Sequence, residues 1–162
     1  MKKIVIRSYQ KSDVYDLVQI FYNTIHIINI KDYTQEQCDA WAPQETLQIE
    51  GWQKKWLHNE PLVAIYDDKI VGFAEFEPSG HIDCFYVHHA FQGQGIGSAL
   101  MEKIEQIAHQ KNISRLFAEV SITAKPFFKK KGFYVVKKQT IVRRGIKLDN
   151  FIMEKHADKT NH

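Results

Sequence analysis

The chain has 162 residues, of which 44% are hydrophobic, so it is long enough for one domain with a substantial core. Its net charge is +3, from 22 basic and 19 acidic residues, which is too small to indicate a nucleic-acid partner. Cys38 and Cys84 form neither a zinc pattern nor a disulfide framework, and His-Glu-x-x-His spacing is absent, so no metal is expected. No apolar run approaches the ~18 residues that span a membrane, and the first residues do not resemble a signal peptide, so we expect a cytoplasmic protein without membrane partners.

The first third of the chain reads as one strand followed by helices. Aliphatic residues predict a strand from Ile4 to Tyr9, and an apolar stripe at helical spacing predicts a helix that begins at a Ser12 cap. Further helical regions are expected at Thr34–Trp41 and Thr46–Leu57, on either side of Pro43.

The middle of the chain reads as a hairpin, a third strand and a long helix. Strands are expected at Leu62–Tyr66 and Ile70–Phe76, and a third at His81–Val87. After a glycine-rich loop, Ile96, Leu100, Ile104 and Ile107 recur every three or four residues, as on one face of a helix.

The last part predicts a strand, a short helix and a final pair of strands. These are Leu116–Val120, Ala124–Lys131, Phe133–Val142 and Ile146–Glu154. The element order is therefore β-α-α-β-β-β-α-β-α-β-β. We expect one domain over residues 1–155 and a polar tail over residues 156–162.

The loop between the third predicted strand and the long helix indicates an anion site. The first N–H groups of a helix lack intrahelical partners and the helix dipole is positive there, so a phosphate is stabilised. Glycine lets the backbone approach the anion closely. We therefore expect the loop to bind a phosphorylated ligand through the residues Gln92, Gly93, Gln94, Gly95, Ile96, Gly97 and Ser98.

Spacing separates three motifs that could produce this loop. A Walker loop requires a Lys before Ser98, which is absent. The Gly-x-Gly-x-x-Gly fingerprint of dinucleotide-binding proteins is not met from Gly93 or Gly95, although Glu119 lies where a ribose-binding acid would be sought. A nucleotide-binding oxidoreductase therefore stays as a minor alternative.

The third motif, Gln/Arg-x-x-Gly-x-Gly/Ala, matches Gln92-x-x-Gly95-x-Gly97 at every fixed position. On this loop the chain resembles the GNAT superfamily of acyl-CoA-dependent N-acetyltransferases, and the element order agrees over nearly its whole length. A second segment, from Ser121 through Ala124 and Phe128 to Gly132-Phe133, resembles the family's Asn-x-x-Ala-x-x-x-Tyr-x-x-x-Gly-Phe. Residues 33–43 also resemble a bacterial subgroup of the superfamily.

The resemblance implies an α/β (α+β) GNAT fold, with a mixed, mostly antiparallel sheet of about seven strands flanked by about four helices. It implies acetyl-CoA or coenzyme A as the cofactor and a primary amine of a small molecule or peptide as the acceptor, which attacks the thioester directly. It also allows a homodimer. The cofactor-binding residues implied are the loop residues together with Phe85, Tyr86, Val87, Ser121 and Phe128.

The base that accepts the acceptor's proton is less well determined. The family carries a Glu at the position of His81, and the pKa of an ordinary His, about 6.5, suits a base near neutrality. Strand alternation places Asp83 on the same face as His81, and Glu75 and Glu77 share a face of the preceding strand. His81 is the first candidate and Glu75 the next, with Asp83 third, although exposed acids and histidines on strands are usually only solvated.

Two departures from the family bear on function. Ser121 replaces an Asn, and Phe128 replaces the Tyr that donates a proton to the departing thiolate in many members. Tyr86 or Tyr134 could take over that role. An acyl-CoA-binding or sensing module with little turnover is therefore the alternative. The family's acceptor site lies in the segment after the first strand, where the candidates are His26, Tyr33 and Trp41, each of which could equally be packing.

Overall fold

The protein was analysed as a computed structural model that describes residues 3–157. Its strands and helices follow the predicted order, and three α-helices precede the second strand, at the three predicted helical regions, where the order of the family has two. The strands are β1 Ile4–Ser8, β2 Leu62–Tyr66, β3 Lys69–Phe76, β4 His81–Val87, β5 Arg115–Ser121, β6 Tyr134–Arg143 and β7 Ile146–His156. The α-helices are α1 Val14–Ile27, α2 Gln35–Trp41, α3 Glu50–Trp56, α4 Ile96–Gln110 and α5 Lys125–Lys130.

All seven strands form one sheet in the order β1-β2-β3-β4-β5-β7-β6. Every neighbouring pair is antiparallel except β4 and β5, which are parallel. The predicted mixed, mostly antiparallel sheet of about seven strands is confirmed. The dinucleotide-binding alternative requires a doubly wound parallel sheet, and these strands do not form one.

The apolar stripes of the helices cover both faces of the sheet. Leu100 and Ile104 of α4 lie in a core that also includes Phe128 of α5. Leu17 and Ile25 of α1 lie in a second core on the opposite face, together with Trp56 of α3. Helical spacing in the sequence therefore identified the buried faces of the two long helices. Among residues 3–157, no helix has the length and hydropathy needed to cross a bilayer.

Two predictions about helices are wrong, and the predicted boundary between the domain and its tail moves. The carboxylate of Asp13, not Ser12, receives the N–H of Gln10 at 2.8 Å, and a 3₁₀ turn over Lys11–Asp13 precedes α1. The region predicted as one helix from Thr46 is a 3₁₀ turn, Gln44–Leu47, followed by α3. His156, assigned to the tail, is the last residue of β7, and residues 158–162 lie outside the described part of the chain.

The feature that positions the functional site is the separation of β4 from β5. The two strands pair only at His81 with Phe117 and at Ile82 with Ala118, near the N-terminal end of β4. Beyond that point β4 continues beside β3 alone, and its edge toward β5 is open. The pairing of β4 with β3 also shifts register between Ala74 and Phe76, which places one extra residue of β4 in the span from Ile82 to Phe85.

Candidate functional site

The glycine loop forms the N-terminus of α4, as predicted. Gly95 is the N-cap and has φ of 86°, and Gly93 has φ of 71°, both in the left-handed region that favours glycine. The side-chain amide of Gln92 donates to the carbonyl oxygen of Val87 at 2.7 Å and so ties the loop to the end of β4. The first N–H groups of α4 are thereby held facing outward.

These residues line a cavity of about 460 Å³, which we call the loop cavity. Every predicted cofactor-binding residue lines it except Gln94, which is exposed. Lys130 and Lys131 add positive charge to its wall. The predicted residues in its wall are Phe85, Tyr86, Val87, Gln92, Gly93, Gly95, Ile96, Gly97, Ser98, Ser121 and Phe128.

The open edge of β4 presents backbone hydrogen-bonding groups to the loop cavity. The N–H of His88 donates to the carbonyl of Val71 at 2.8 Å, and Val87 lies opposite Gly72 in the ladder. In an antiparallel ladder this makes Val87 part of a non-hydrogen-bonded pair, so its own N–H and C=O point away from β3. The same holds two residues back, at Phe85. These groups face the gap between β4 and β5.

The segment after β5 forms the opposite side of the gap. The hydroxyl oxygen of Ser121 accepts the N–H of Ala124 at 3.0 Å and the side-chain amide of Asn29 at 3.4 Å, which leaves its own hydrogen free to donate. The Phe128 ring is buried against Phe85 and Phe133. Thr123 also lines the loop cavity, and its hydroxyl is buried with no partner among residues 3–157.

A second cavity, of about 360 Å³, opens on the other face of the sheet. We call it the aromatic cavity, because aromatic rings from α1, α2 and α3 form much of its wall. Tyr33 and Trp41, two of the three residues predicted to bind the acceptor, line it, whereas the third, His26, does not: its ring lies against the carbonyl of Ala42 at 2.6 Å. The lining residues used below are Phe21, Tyr33, Trp41, Trp52, Lys55, Asp83, Tyr86, Glu119, Ser121, Arg143, Asp149 and Asn150.

Lys55 ties together two of the three predicted bases. Its ammonium lies 3.0 Å from Glu75, 2.9 Å from Asp83 and 3.9 Å from the sulfur of Cys84. Burial opposes the charge of Lys55, but the groups around it outweigh this effect and raise its pKa. Glu75 is 1% exposed and does not line the aromatic cavity, so only Asp83 of this group can reach an acceptor.

The extra residue in β4 explains why Asp83 and Cys84 both face Lys55, although neighbours on a regular strand point to opposite faces. Atoms of Glu75, Asp83 and Cys84 that could bind a metal lie within 4.8 Å of one another, but the ammonium of Lys55 already supplies their cation. Burial raises the pKa of the Cys84 thiol well above its ordinary value, which makes it a poor nucleophile.

His81 lies outside both cavities, between two carboxylates. Its Nε2 is 2.6 Å from Glu119, and its Nδ1 contacts Glu77. The hydrogen bond with Glu119, helped by Glu77 and opposed by burial, raises the pKa of His81 to about 9. A ring that is protonated at neutral pH and bonded at both nitrogens has no lone pair for an acceptor's proton. This environment argues against His81 as the direct base.

Glu119 is the residue through which His81 reaches the aromatic cavity. The hydrogen bond from His81 holds the pKa of Glu119 below its usual value, so its carboxylate is charged. Glu119 and Ser121 are two residues apart on β5 and share the face that meets the aromatic cavity. Because side chains two residues apart on a strand share a face, the choice of Ser121 could also have indicated Glu119 from the sequence. No sequence pattern indicated Lys55.

The two cavities meet at Tyr86 and Ser121, which line both of them. A smaller cavity of about 60 Å³ lies between them and is also lined by both residues. The meeting point is the gap where β4 has left β5. A ligand that lies along the open edge of β4 therefore has its end beside a ligand in the aromatic cavity.

Comparison with known proteins identifies this arrangement. Residues 29–155 match the family model of the acetyltransferase (GNAT) domain. An uncharacterised N-acetyltransferase of Escherichia coli K12, YafP, is 33% identical over 94% of this chain and 96% of its own length. A GCN5-related N-acetyltransferase structure from Rhodopseudomonas palustris matches with a TM-score of 0.89 and 28% identity, covering 94% of this chain and 95% of that one.

A further solved structure, the PaiA N-acetyltransferase of Thermoplasma acidophilum in complex with coenzyme A, matches with a TM-score of 0.78 over 96% of this chain and 99% of that one. At 21% identity this likeness concerns the fold. Taken with the family model and the E. coli relative, the comparisons show that the chain belongs to the GNAT acetyltransferase family. The resemblance inferred from the loop is confirmed.

The charged contacts of His81 predict a pH-dependent stability. Its pKa is raised from 6.5 to about 9 on folding, so its stabilisation is fully present below pH 6.5 and is lost as the pH rises through about 9. We expect a loss of about 1–2 kcal/mol in the free energy of unfolding over this window, allowing for partial solvent screening. Urea unfolding of the protein and of the His81→Gln variant between pH 6 and pH 10 measures it. Parallel pH dependences in the two proteins would contradict the assignment.

Proposed function

We propose that the protein is an acetyl-CoA-dependent N-acetyltransferase that acts on a primary amine. The observation that carries the proposal is the meeting of the loop cavity with the aromatic cavity at Tyr86 and Ser121. One cavity has the features of a phosphate site, and the other combines aromatic rings with carboxylates, which suits an amine. Acetyl-coenzyme A supplies the activated acetyl thioester.

The residues of the loop cavity fit such a cofactor. The N-terminus of α4, with Lys130 and Lys131 nearby, presents N–H groups and positive charge to phosphates. Phe85 offers its backbone N–H and C=O along the open edge of β4, and Val87 offers its N–H, as a sheet edge does to an added strand. The buried hydroxyl of Thr123 offers one further polar contact.

Val87 also has the N–H best placed to stabilise an oxyanion. It points into the gap, and the Val87 carbonyl beside it is occupied by Thr24 and Gln92 at 3.2 and 2.7 Å. A backbone donor requires no particular side chain, which is why the sequence could only imply it. Donors of this kind contribute about 2.7–4 kcal/mol in acyl transfer.

Glu119 is the base we propose, in place of His81. Its carboxylate lines the aromatic cavity and is charged, so it can accept a proton from the acceptor nitrogen. His81 then acts as a positioning residue, holding Glu119 at 2.6 Å and linking it to Glu77, whose side chain is 41% exposed. The chain Glu119–His81–Glu77 connects the cavity with solvent. Asp83 is the second candidate.

Tyr86 is the proton donor we propose for the departing thiol, because Phe128 has no hydroxyl. Burial raises the pKa of Tyr86 well above its ordinary value, so the phenol carries its proton when the thiolate forms but is a weaker acid; its position where the two cavities meet is what supports the role. Tyr134, the other sequence candidate, donates instead to Glu154 at 3.3 Å and lines neither the loop cavity nor the aromatic cavity. Ser121 can add a hydrogen bond at the same point.

The proposed activity is tested by thiol release from acetyl-CoA across a panel of primary amines, with coenzyme A affinity measured in parallel by calorimetry. Release that depends on the amine supports the proposal. Tight coenzyme A binding without release for any amine would favour a binding or sensing module. Absence of coenzyme A binding would contradict both.

The Gly95→Val variant tests the loop. A β-branched residue at φ of 86° is strained and would displace the backbone N–H groups at the start of α4, so we expect the coenzyme A Kd to rise at least about tenfold. Gly145→Val is a matched control, because Gly145 has φ of 80° in the β6–β7 turn, away from the loop. Calorimetry on folded variants measures the effect, and equal affinities in both would refute the loop assignment.

The Glu119→Gln variant tests the proposed base. Removing the proton acceptor while keeping its shape should lower kcat by about 100-fold and leave the coenzyme A Kd unchanged. His81→Gln should lower kcat by about tenfold, because Glu119 loses its positioning contact, and Glu77→Gln, which keeps that contact, should have less effect. Steady-state kinetics measures kcat for the three variants. A Glu119→Gln rate within twofold of the parent would move the role to Asp83.

The Tyr86→Phe variant tests the proposed proton donor. Loss of the hydroxyl alone should lower kcat by about tenfold or more while thermal stability and coenzyme A affinity stay near the parent values, since the ring packing is kept. Tyr134→Phe, which removes a hydroxyl outside both cavities, is the matched control and should keep the parent rate. Equal rates for the two variants would exclude Tyr86.

A further inference from the structure

The charges that line the aromatic cavity are nearly all paired within the protein. Asp83 is held by Lys55 and Glu119 by His81. Asp149 accepts the hydroxyl of Thr140 at 2.7 Å, and Lys138 lies 3.7 Å from its other oxygen. The cation Lys55 is matched by Glu75 as well as Asp83. Each of these charges therefore has a partner before any acceptor arrives.

Arg143 is the exception. It lines the aromatic cavity from the end of β6, and its guanidinium has no hydrogen bond or ion pair with any residue from 3 to 157. The group presents five donors in a planar fork that matches a carboxylate or another anion with paired oxygens. Arg143 is exposed, so water solvates its charge, and it remains open to an anionic group of a ligand in the cavity.

The backbone around Arg143 is fixed, so its position is not that of a loose hairpin tip. Arg144 donates to the carbonyl of Ala40 at 2.7 Å, and the side-chain amide of Gln37 donates to the carbonyl of Lys147 at 2.9 Å. Tyr33 donates to the carbonyl of Asp149 at 2.6 Å. These three contacts bind the β6–β7 hairpin to α2 and to the turn before it.

The register of the sheet gives the distance between Arg143 and the meeting point of the cavities. Ser121 lies opposite Asn150, which lies opposite Gln139 of β6. Arg143 is four residues further along β6, about 13 Å at the usual rise per strand residue, and β6 lies two strands, about 10 Å, from β5, so the backbone of Arg143 is about 16 Å from that of Ser121. An Arg side chain spans about half of that distance. An acceptor with its nitrogen near Ser121 can thus place a second group at Arg143.

Asn150 supplies the other end of this arrangement. It lines the aromatic cavity at the level of Ser121, and its side-chain oxygen is buried without a partner among the described residues. A buried carbonyl oxygen without a donor costs free energy until one is supplied. An acceptor N–H can satisfy this buried oxygen once the Asn150 side chain turns toward the cavity, and Glu119 lies on the same side of the gap.

From these two unpartnered groups, we infer that the acceptor is an amine that also carries an anionic group such as a carboxylate, bound by Arg143, with the amine toward Asn150. An apolar or aromatic part between the two lies against the ring-lined wall formed by Phe21, Trp41 and Trp52. This inference rests on the proposed function for its amine but not on turnover, since it concerns equilibrium binding.

The test uses probe pairs that differ only in charge and keep the amine several ångströms from the carboxylate: 4-(aminomethyl)benzoate and its benzamide, and 6-aminohexanoate and its amide. Calorimetry measures binding to the protein alone and with coenzyme A. We expect at least one carboxylate probe to bind about tenfold more tightly than its amide. Arg143→Gln should abolish that preference. Lys137→Gln, which removes the same charge from β6 outside the cavity lining, should keep it.

The results separate the two proposals. A panel in which no carboxylate probe exceeds its amide, or a preference that survives Arg143→Gln, overturns the inference. Asn150→Ala should weaken both members of the preferred pair alike, because both carry the amine, and an unchanged affinity would exclude Asn150 as the amine contact. Absence of coenzyme A binding overturns the proposed function instead, and the probe comparison on the protein alone still decides the acceptor class.

Discussion

The early separation of β4 from β5 is the constraint on which the rest of this structure depends. Two residue pairs join the strands, at His81 and Ile82, and beyond them backbone groups of Phe85 and Val87 face a gap. Buried backbone groups without partners are costly, so this edge is stable only if water or a ligand satisfies it. The gap also lets the loop cavity on one face of the sheet meet the aromatic cavity on the other, at Tyr86 and Ser121.

Charge pairing prepares the acceptor side. Lys55 pairs with Glu75 and Asp83, and His81 pairs with Glu119 and Glu77, so six ionisable groups close to the gap are held before substrate arrives. Isolated buried charges would be far less stable. Side chains held in this way need little reorganisation when charge develops during a reaction. Arg143 lies in a hairpin that is bound to α2 and has no ion partner among residues 3–157, so a ligand could match its charge.

Patterns in the sequence predicted correctly those features that depend on interactions between neighbouring residues. Glycine at 93 and 95 follows from left-handed backbone at a helix start, and strand β4 and the stripe of α4 follow from periodicity. The choice of His81 as base used the pKa of an isolated imidazole, and two carboxylates brought from β5 and from the end of β3 invalidate that value. His26 was predicted to bind the acceptor only because of the segment in which it lies, and its ring instead contacts a backbone carbonyl.

The sequence by itself determined the class of protein, because a phosphate-binding helix start needs only neighbouring residues in a fixed spacing. It also determined the order of elements and most of the residues that line the loop cavity, because many of them lie in one short stretch of the chain. Only the tertiary structure decided the acceptor side. Lys55, Glu119 and Arg143 come from α3, β5 and β6, and their pairing, or its absence in Arg143, depends on which charges the folded sheet brings within a few ångströms.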